Sequence, residues 1–220
     1  MSTNPGILLP GDIAGFFIPE LYGILNTARL QKRNWYYGDK AYFGRHKYWR
    51  ITKNAFMYDL SNSHTPERFE KLGIEIKPWR SGSEILLCPQ SDTYFRLHGM
   101  RQQEWIDKTT CELRQHTDRK IRIHYKLVGD DTERHFEREI RNAWAVVVYS
   151  SMAGAQAAIH GVPCFATNSD CVSAKFGTTD LSLIENPCKP DNRAELAWGL
   201  ADNQWTLDEI KRGMAWEAIK

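Results

Sequence analysis

The sequence lacks any apolar run long enough to cross a bilayer, since none reaches the roughly 18 to 20 residues required. Asp12 and Glu20 interrupt the most apolar stretch near the N-terminus. The five cysteines are an odd number without a C-x-x-C pair, so neither a disulfide framework nor a structural zinc site is indicated. No Asp-x-Asp triplet, internal repeat or low-complexity tract occurs. We therefore expect a cytoplasmic protein without a membrane partner or a bound metal.

Length and composition are those of a globular α/β protein. The 220 residues are enough for one large domain, or for a full domain with a partial one, and 42% are hydrophobic and 25% charged. Charge is uneven: residues 1–126 carry 20 Lys and Arg against 13 Asp and Glu, whereas residues 127–220 carry 9 against 14. The N-terminal half therefore has the charge to meet an anion, although a solvated basic face without a function explains the same excess.

A regular alternation of strands and helices begins at residue 84. Strands are predicted at 85–89, 119–126, 145–149 and 162–166, and helices at 102–115, 132–142 and 152–160, with amphipathic helix over 196–216. This alternation predicts an α/β fold of Rossmann type, with a mostly parallel sheet and helices on both faces. We assign it to a domain over residues 84–220.

Residues 1–83 are predicted to form a smaller α/β segment. A strand and turn fit residues 7–17, a short helix fits 21–30, and residues 35–45 fit a strand that runs into an aromatic loop. A further strand over 48–57 is followed by an irregular connection up to residue 83.

Ligands of open parallel sheets bind beyond the carboxyl ends of the strands. In this sequence those positions hold Pro89-Gln90-Ser91, His124 to Lys126, and Ser150 to Gly154. The third group offers two hydroxyls and the first amides of a helix, which together favour a phosphate. The alternative is that its small residues only let the helix pack closely on the sheet.

The third group also belongs to a longer motif. The pattern Ser150-Ser151-x-x-Gly154-x-Gln156-Ala157-x-x-x-Gly161-x-Pro163 resembles the Ser-Ser-x-x-Gly-x-Glu-Ala-x-x-x-Gly-x-Pro pattern in the C-terminal, nucleotide-sugar-binding domain of GT-B type glycosyltransferases. The resemblance covers roughly residues 84 to 200 of the sequence. It implies a metal-independent transferase that takes a nucleoside diphosphate sugar as donor and holds no cofactor, because basic side chains and a helix dipole stabilise the leaving diphosphate.

The same resemblance implies a donor site. The pyrophosphate would lie at Ser150, Ser151 and the amides of Met152, Ala153 and Gly154, with Lys126 or Arg122 as its charge partner. Gln90, Ser91 and His124 would line the same site, although His124 also fits a hydrogen-bonded core histidine. The sequence departs from the family at Gln156, where a Glu usually accepts hydrogen bonds from the ribose, and a neutral Gln forms weaker ones.

An acceptor site is predicted in the N-terminal segment, which is short for an acceptor domain of the GT-B type. Asp39 is the candidate general base, and the acceptor-binding candidates nearby are Tyr42, Phe43, Arg45 and Arg50. The alternative is that Asp39 is a turn residue and the aromatic rings belong to the core.

Three functions remain open from the sequence. The first is a glycosyltransferase whose acceptor is a glycan or a modified base in DNA. Segments of the Trp-Tyr-Tyr-x-Asp type are similar to phage-encoded proteins, which suggests a hydroxymethylated base in phage DNA as acceptor and the host cytoplasm as location. A basic, aromatic N-terminal half suits contact with DNA. The alternatives are a non-catalytic nucleic-acid-binding module on the same scaffold and a sugar-nucleotide epimerase, which should contain two full domains.

Overall fold

A computed structural model describes residues 13–16, 23–24, 27–28, 30–57, 64–126 and 132–220. The chain forms two compact units. The first comprises the residues up to Leu72 together with Trp198–Lys220, and the second comprises Gly73–Ala197. The sequence predicted a single division after residue 83, whereas the contacts group the C-terminal helices with the N-terminal residues.

The second unit contains a four-stranded parallel sheet. Its strands are β4 (Glu84–Cys88), β5 (Lys120–Ile123), β6 (Ala143–Val148) and β7 (Cys164–Ala166). They lie in the order β5-β4-β6-β7, and every neighbouring pair is parallel. The predicted α/β fold with a parallel, Rossmann-like sheet is therefore confirmed, as is each of its four predicted strands.

Helices pack on both faces of this sheet. They are α2 (Asp92–Leu97), α3 (Gln102–Leu113), α4 (Thr132–Glu139), α5 (Met152–Ile159), α6 (Val172–Lys175) and the start of α7 (Arg193–Asp202), with a 3₁₀ turn at Leu181–Leu183. On one face, Ile85, Leu87 and Val147 pack with Trp105 of α3 in a buried cluster. On the other face, Cys164 lies against α6, because its thiol donates to the carbonyl of Ser173 at 3.4 Å.

The first unit contains a smaller, mixed sheet. Its strands are β1 (Ile13–Phe16), β2 (Trp35–Lys40), β3 (Tyr48–Lys53) and β8 (Trp205–Thr206). β1 pairs parallel to β2, while β3 pairs antiparallel to both β2 and β8. The remaining elements are α1 (Glu67–Glu70), α8 (Leu207–Lys211) and α9 (Met214–Ile219). The predicted helix over 21–30 agrees with the described residues of that stretch, whereas residues 7–12 and 61–63 lie outside the described part.

A cluster of polar groups ties α1 to the start of α8. Arg68 donates to Glu209 at 2.8 Å, and Glu209 also accepts from the Thr206 amide at 2.7 Å. Burial would raise the pKa of Glu209, but these hydrogen bonds from Arg68 and Thr206 outweigh it and lower the pKa to about 2. Thr206 and Glu209 thus form a capping box at the start of α8.

This cluster should make stability depend on pH in acid. A carboxyl whose pKa is lowered in the folded state stabilises the fold above its unfolded pKa, and that stabilisation is lost as pH falls from about 4.5 towards 2. Allowing for solvent screening, we expect Glu209 to contribute roughly 1 to 2 kcal/mol. Urea unfolding of the wild type and of Glu209→Gln at pH 6 and pH 3 measures this contribution. The wild type should lose more stability between the two pH values, and equal losses would contradict the assignment.

Candidate functional site

The strand order places a switch point between β4 and β6. From β4 the chain continues to β5 at one edge of the sheet, and from β6 it continues to β7 at the opposite edge. The two connections therefore diverge between β4 and β6. Crevices at the carboxyl ends of such a strand pair are the usual ligand sites of open α/β sheets. Residues 89–91 and 149–151 follow these two strands, and we call the region around them the mouth.

Two predicted donor-site residues meet at the mouth. The side-chain amide of Gln90 accepts from the amide of Ser150 at 3.0 Å and donates to the carbonyl of the same residue. The carbonyl of Gln90 in turn accepts from the side chain of Gln102. The structure thus brings Gln90 and Ser150 together, but the side-chain amide of Gln90 is hydrogen-bonded to the backbone of Ser150. Ser91 instead caps α2, because its hydroxyl accepts from the Tyr94 amide.

Three aromatic rings in mutual contact lie beside the mouth. The sequence did not indicate them. Tyr94 and His98 lie on α2 and at its C-terminal cap with their centroids 4.7 Å apart, and Tyr149 lies 5.8 Å from His98. All three are half-buried. Burial lowers the pKa of His98, which favours its neutral imidazole. Tyr94 and His98 are four residues apart, a spacing that would have indicated a shared helical face had α2 been predicted.

The start of α5 is hydrogen-bonded within the protein. The hydroxyl of Ser151 accepts from the Ala153 amide at 3.2 Å, and the hydroxyl of Ser173 accepts from the Ala155 amide at 2.9 Å. A Cβ at Gly154 would lie 2.7 Å from the Cβ of Ser173, so this glycine makes room for α6. The alternative reading of the small residues is therefore correct for Gly154. Ser151, Met152, Ala153 and Gln156 keep partly exposed side chains.

Two basic residues of the predicted donor site, the charge partner Arg122 and the lining residue His124, contact α4. Arg122 donates to Glu84 at 3.1 Å and to both the carboxylate and the carbonyl of Glu139. His124 lies 3.6 Å from the same carboxylate and stacks on His135. Burial lowers the pKa of His124, and attraction to Glu139 offsets this only in part. Both residues share one face of the strand, as predicted, but that face is covered by a helix.

Lys126 is the remaining cation of the predicted donor site. It is exposed and lies three residues beyond the end of β5. Unlike Arg122 and His124, its position therefore leaves the ammonium group accessible from solvent. Of the two predicted charge partners, we take Lys126 as the one better placed to meet a ligand, because it is exposed.

The predicted acceptor residues are mostly buried in the first unit. Tyr42 and Phe43 are 0% and 4% exposed, so neither ring offers a face to an acceptor. Arg50 is also buried, and it donates to Asp39 at 2.7 Å. Only Arg45 has a partly exposed side chain among the four acceptor candidates. The structure gives Tyr42 and Phe43 a place in the core, which is the alternative that the sequence left open.

A pocket of about 750 Å³ lies at the opposite, amino end of the parallel sheet. Its lining residues precede β4, β6 and β7 in the chain, and they are Lys77, Pro78, Trp79, Arg80, Glu137, Arg138, Ile140, Arg141 and His160. None of them belongs to the predicted site. The sequence placed residues 77–80 in an irregular connection, so nothing in its local pattern indicated a pocket.

Comparison with known proteins leaves the family open. No model of a known protein family matches the sequence. No curated protein matches it either. In the described part of the chain, no three His, Cys, Asp or Glu side chains are grouped as a metal site would need. Within the same residues, no helix has both the length and the apolar character to span a bilayer.

Proposed function

We propose that the chain is a metal-independent glycosyltransferase that binds a nucleoside diphosphate sugar at the mouth. The observation that carries this proposal is the strand order β5-β4-β6-β7, whose switch point lies between the strands ending at Cys88 and Val148. The resemblance of residues 150–163 to the GT-B motif supports it, because the first part of that motif follows β6 directly. Neither the fold nor the motif alone fixes the reaction.

Side chains at the mouth suit the two ends of such a donor. The diphosphate would take the position next to Ser151 and the first turn of α5, where it would replace the Ser151 hydroxyl as acceptor for the Ala153 amide. The base would lie against Tyr94, His98 or Tyr149, since half-buried rings are suitable stacking surfaces. Lys126 would supply the positive charge, because it is exposed and lies three residues beyond the end of β5.

Calorimetric titration with a panel of nucleoside diphosphate sugars tests donor binding, and Met152 offers a matched pair of variants. Met152 is the first residue of α5 and is partly exposed. Met152→Glu places a negative charge beside the diphosphate but favours the helix dipole, whereas Met152→Gln has a similar size and no charge. We expect donor affinity to fall about tenfold or more in Met152→Glu, with an unchanged melting temperature. Equal affinities in the two variants would contradict a diphosphate at this helix.

The acceptor hydroxyl belongs to a glycan or to a hydroxymethylated base in phage DNA under this proposal. Aromatic and basic side chains of the first unit support the DNA acceptor. Lys40 lies 4.4 Å from the ring of Trp49, and Lys53 lies 5.9 Å from that of Tyr36. Paired cations and rings of this kind are common where proteins contact nucleic acids.

The same pairs favour a second candidate function, a nucleic-acid-binding module without catalysis. That module would bind duplex or single-stranded DNA with an affinity that falls steeply with salt, and it would not bind nucleoside diphosphate sugars. The calorimetric titration therefore separates the two functions.

A further inference from the structure

We propose that the pocket at the amino end of the parallel sheet is a second ligand site, which binds a phosphorylated nucleoside. The pocket is lined by Lys77 to Arg80, by residues at the end of α4 and by His160. Its volume of about 750 Å³ is that of a typical small-molecule site. It lies at the other end of the strands from the mouth, so it does not depend on the proposed transferase function.

Charge in this pocket is strongly one-sided. Four Lys or Arg side chains line it against the single carboxylate of Glu137. Glu137 lies 3.6 Å from His160 and is half exposed. Like charges this close repel one another, and burial together with the charge of Arg141 lowers the pKa of Arg80. An anion that enters the pocket would relieve this repulsion.

The C-terminal end of α4 attracts positive charge, but it does not explain all four cations of the pocket. Carbonyls at the end of a helix attract positive charge, and α4 ends beside the pocket. However, Arg80 already donates to the carbonyls of Ile140 and Arg141 at 2.7 and 2.6 Å. Among the residues that the structure describes, the guanidinium groups of Arg138 and Arg141 make no hydrogen bond or ion pair. These two charges are in excess of what the helix terminus uses.

A fixed aromatic ring lies beside the excess charge. Trp79 is half-buried and stacks on the guanidinium of Arg193, whose Cζ lies 3.9 Å from the ring centroid. Arg193 is itself held by the carbonyls of Ala158 and Lys77. A rigid ring next to free guanidinium groups is the combination that binds a flat base together with its phosphates.

The backbone under the pocket is pre-organised. The Lys77 amide donates to the Ile159 carbonyl, and the Arg80 amide donates to the Gly161 carbonyl, both at 2.8 Å. These bonds fix the segment that carries Trp79 against the end of α5. Little ordering is therefore needed on binding, which favours affinity.

The test uses the full chain with Met152→Glu as the background, so that binding of a diphosphate at the mouth is weakened about tenfold or more. Adenosine diphosphate, pyrophosphate, adenosine and a twelve-residue oligothymidylate are titrated by calorimetry. Replacing the excess charges by Arg138→Gln with Arg141→Gln should weaken the binding of adenosine diphosphate at least tenfold. Arg101→Gln with Lys108→Gln removes the same charge from the exposed surface of α3 and its N-cap, and should change binding less than twofold.

A second variant separates the base from the phosphates. Trp79→Leu should weaken the binding of adenosine diphosphate several-fold and leave that of pyrophosphate unchanged. Oligothymidylate binding that is tighter and steeply salt-dependent would identify a nucleic acid strand as the source of the phosphorylated nucleoside, whereas binding confined to adenosine diphosphate would identify a free nucleotide. Equal binding by the pocket and control variants, or no binding of any phosphorylated probe, would overturn the site while leaving donor binding at the mouth untouched.

Discussion

Gly161→Ala should destabilise the protein by at least about 3 kcal/mol, lowering its melting temperature by roughly 6 to 12 °C. Gly161 has a φ of +80°, a conformation that costs an L-residue about 1 to 2 kcal/mol. In addition, a Cβ there would lie 2.0 Å from the carbonyl oxygen of Pro78, a backbone atom that the Arg80 and Lys77 hydrogen bonds hold in place. Urea unfolding of the full chain measures the loss.

Gly99→Ala is the matched control for this substitution. Gly99 belongs to the same unit and has a φ of +70°, but a Cβ there would meet no atom within 4 Å. Gly99→Ala should therefore lower the free energy of unfolding only by the conformational cost of about 1 to 2 kcal/mol. The difference between the two variants isolates the contact with Pro78. Equal losses would show that this contact does not constrain the backbone.

Both motif glycines thus have a demonstrable packing role. Gly154 leaves room for Ser173 of α6, and Gly161 leaves room for Pro78. The resemblance to the GT-B pattern therefore carries more information about how α5 packs in the fold than about a ligand. Ser151 and Met152 remain the positions of the motif where a functional test is informative, because their side chains are partly exposed.

Local sequence patterns were sufficient for the parallel sheet. Runs such as Ala145 to Val148 are apolar, β-branched and bounded by turn residues, so they predict buried strands without knowledge of their neighbours. Several elements were missed, and for α2 and β8 the physical reason is clear. α2 has only six residues and no apolar period of its own, and β8 consists of Trp205 and Thr206, which form a strand only because they pair with β3.

The candidate site was harder to predict because its residues depend on non-local partners. Alternation along β5 correctly places Arg122 and His124 on one face, but it cannot show that Glu139 of α4 covers that face. In the same way, the rule that ligands bind at carboxyl ends of strands points to the mouth and gives no information about the pocket at the amino end. Residues 77–80 acquire their positions from bonds to the end of α5.

Asp39→Asn should destabilise the protein by about 3 kcal/mol, because it removes the partner of a buried cation. The side chain of Arg50 is 10% exposed and that of Asp39 is 28% exposed, with 2.7 Å between them. Tyr37 donates to the same carboxylate oxygen at 3.1 Å. The rings of Tyr37 and Tyr42 surround the guanidinium, so water cannot easily replace the lost carboxylate.

Two further variants show whether the unpaired charge is the cause. Glu217→Gln breaks the exposed pair with Lys220 in the same unit and should cost less than about 0.5 kcal/mol. Arg50→Met combined with Asp39→Asn removes the uncompensated cation and should recover part of the stability, which a double-mutant cycle measures. If the double variant is no more stable than Asp39→Asn alone, the ion pair is not the source of the loss.

The same substitution decides between the two roles of Asp39. A general base and a structural counter-ion both lose their carboxylate in Asp39→Asn, but only the base lowers the turnover of molecules that remain folded. Turnover with the donor identified by calorimetry should therefore be divided by the folded fraction measured by circular dichroism. Asp39 is held by Arg50, Tyr37 and the Lys40 amide, as a structural counter-ion would be. We therefore expect Asp39→Asn to lower the free energy of unfolding and to leave the corrected turnover largely unchanged. Loss of turnover in fully folded protein, with donor affinity unchanged, would instead restore Asp39 as the base.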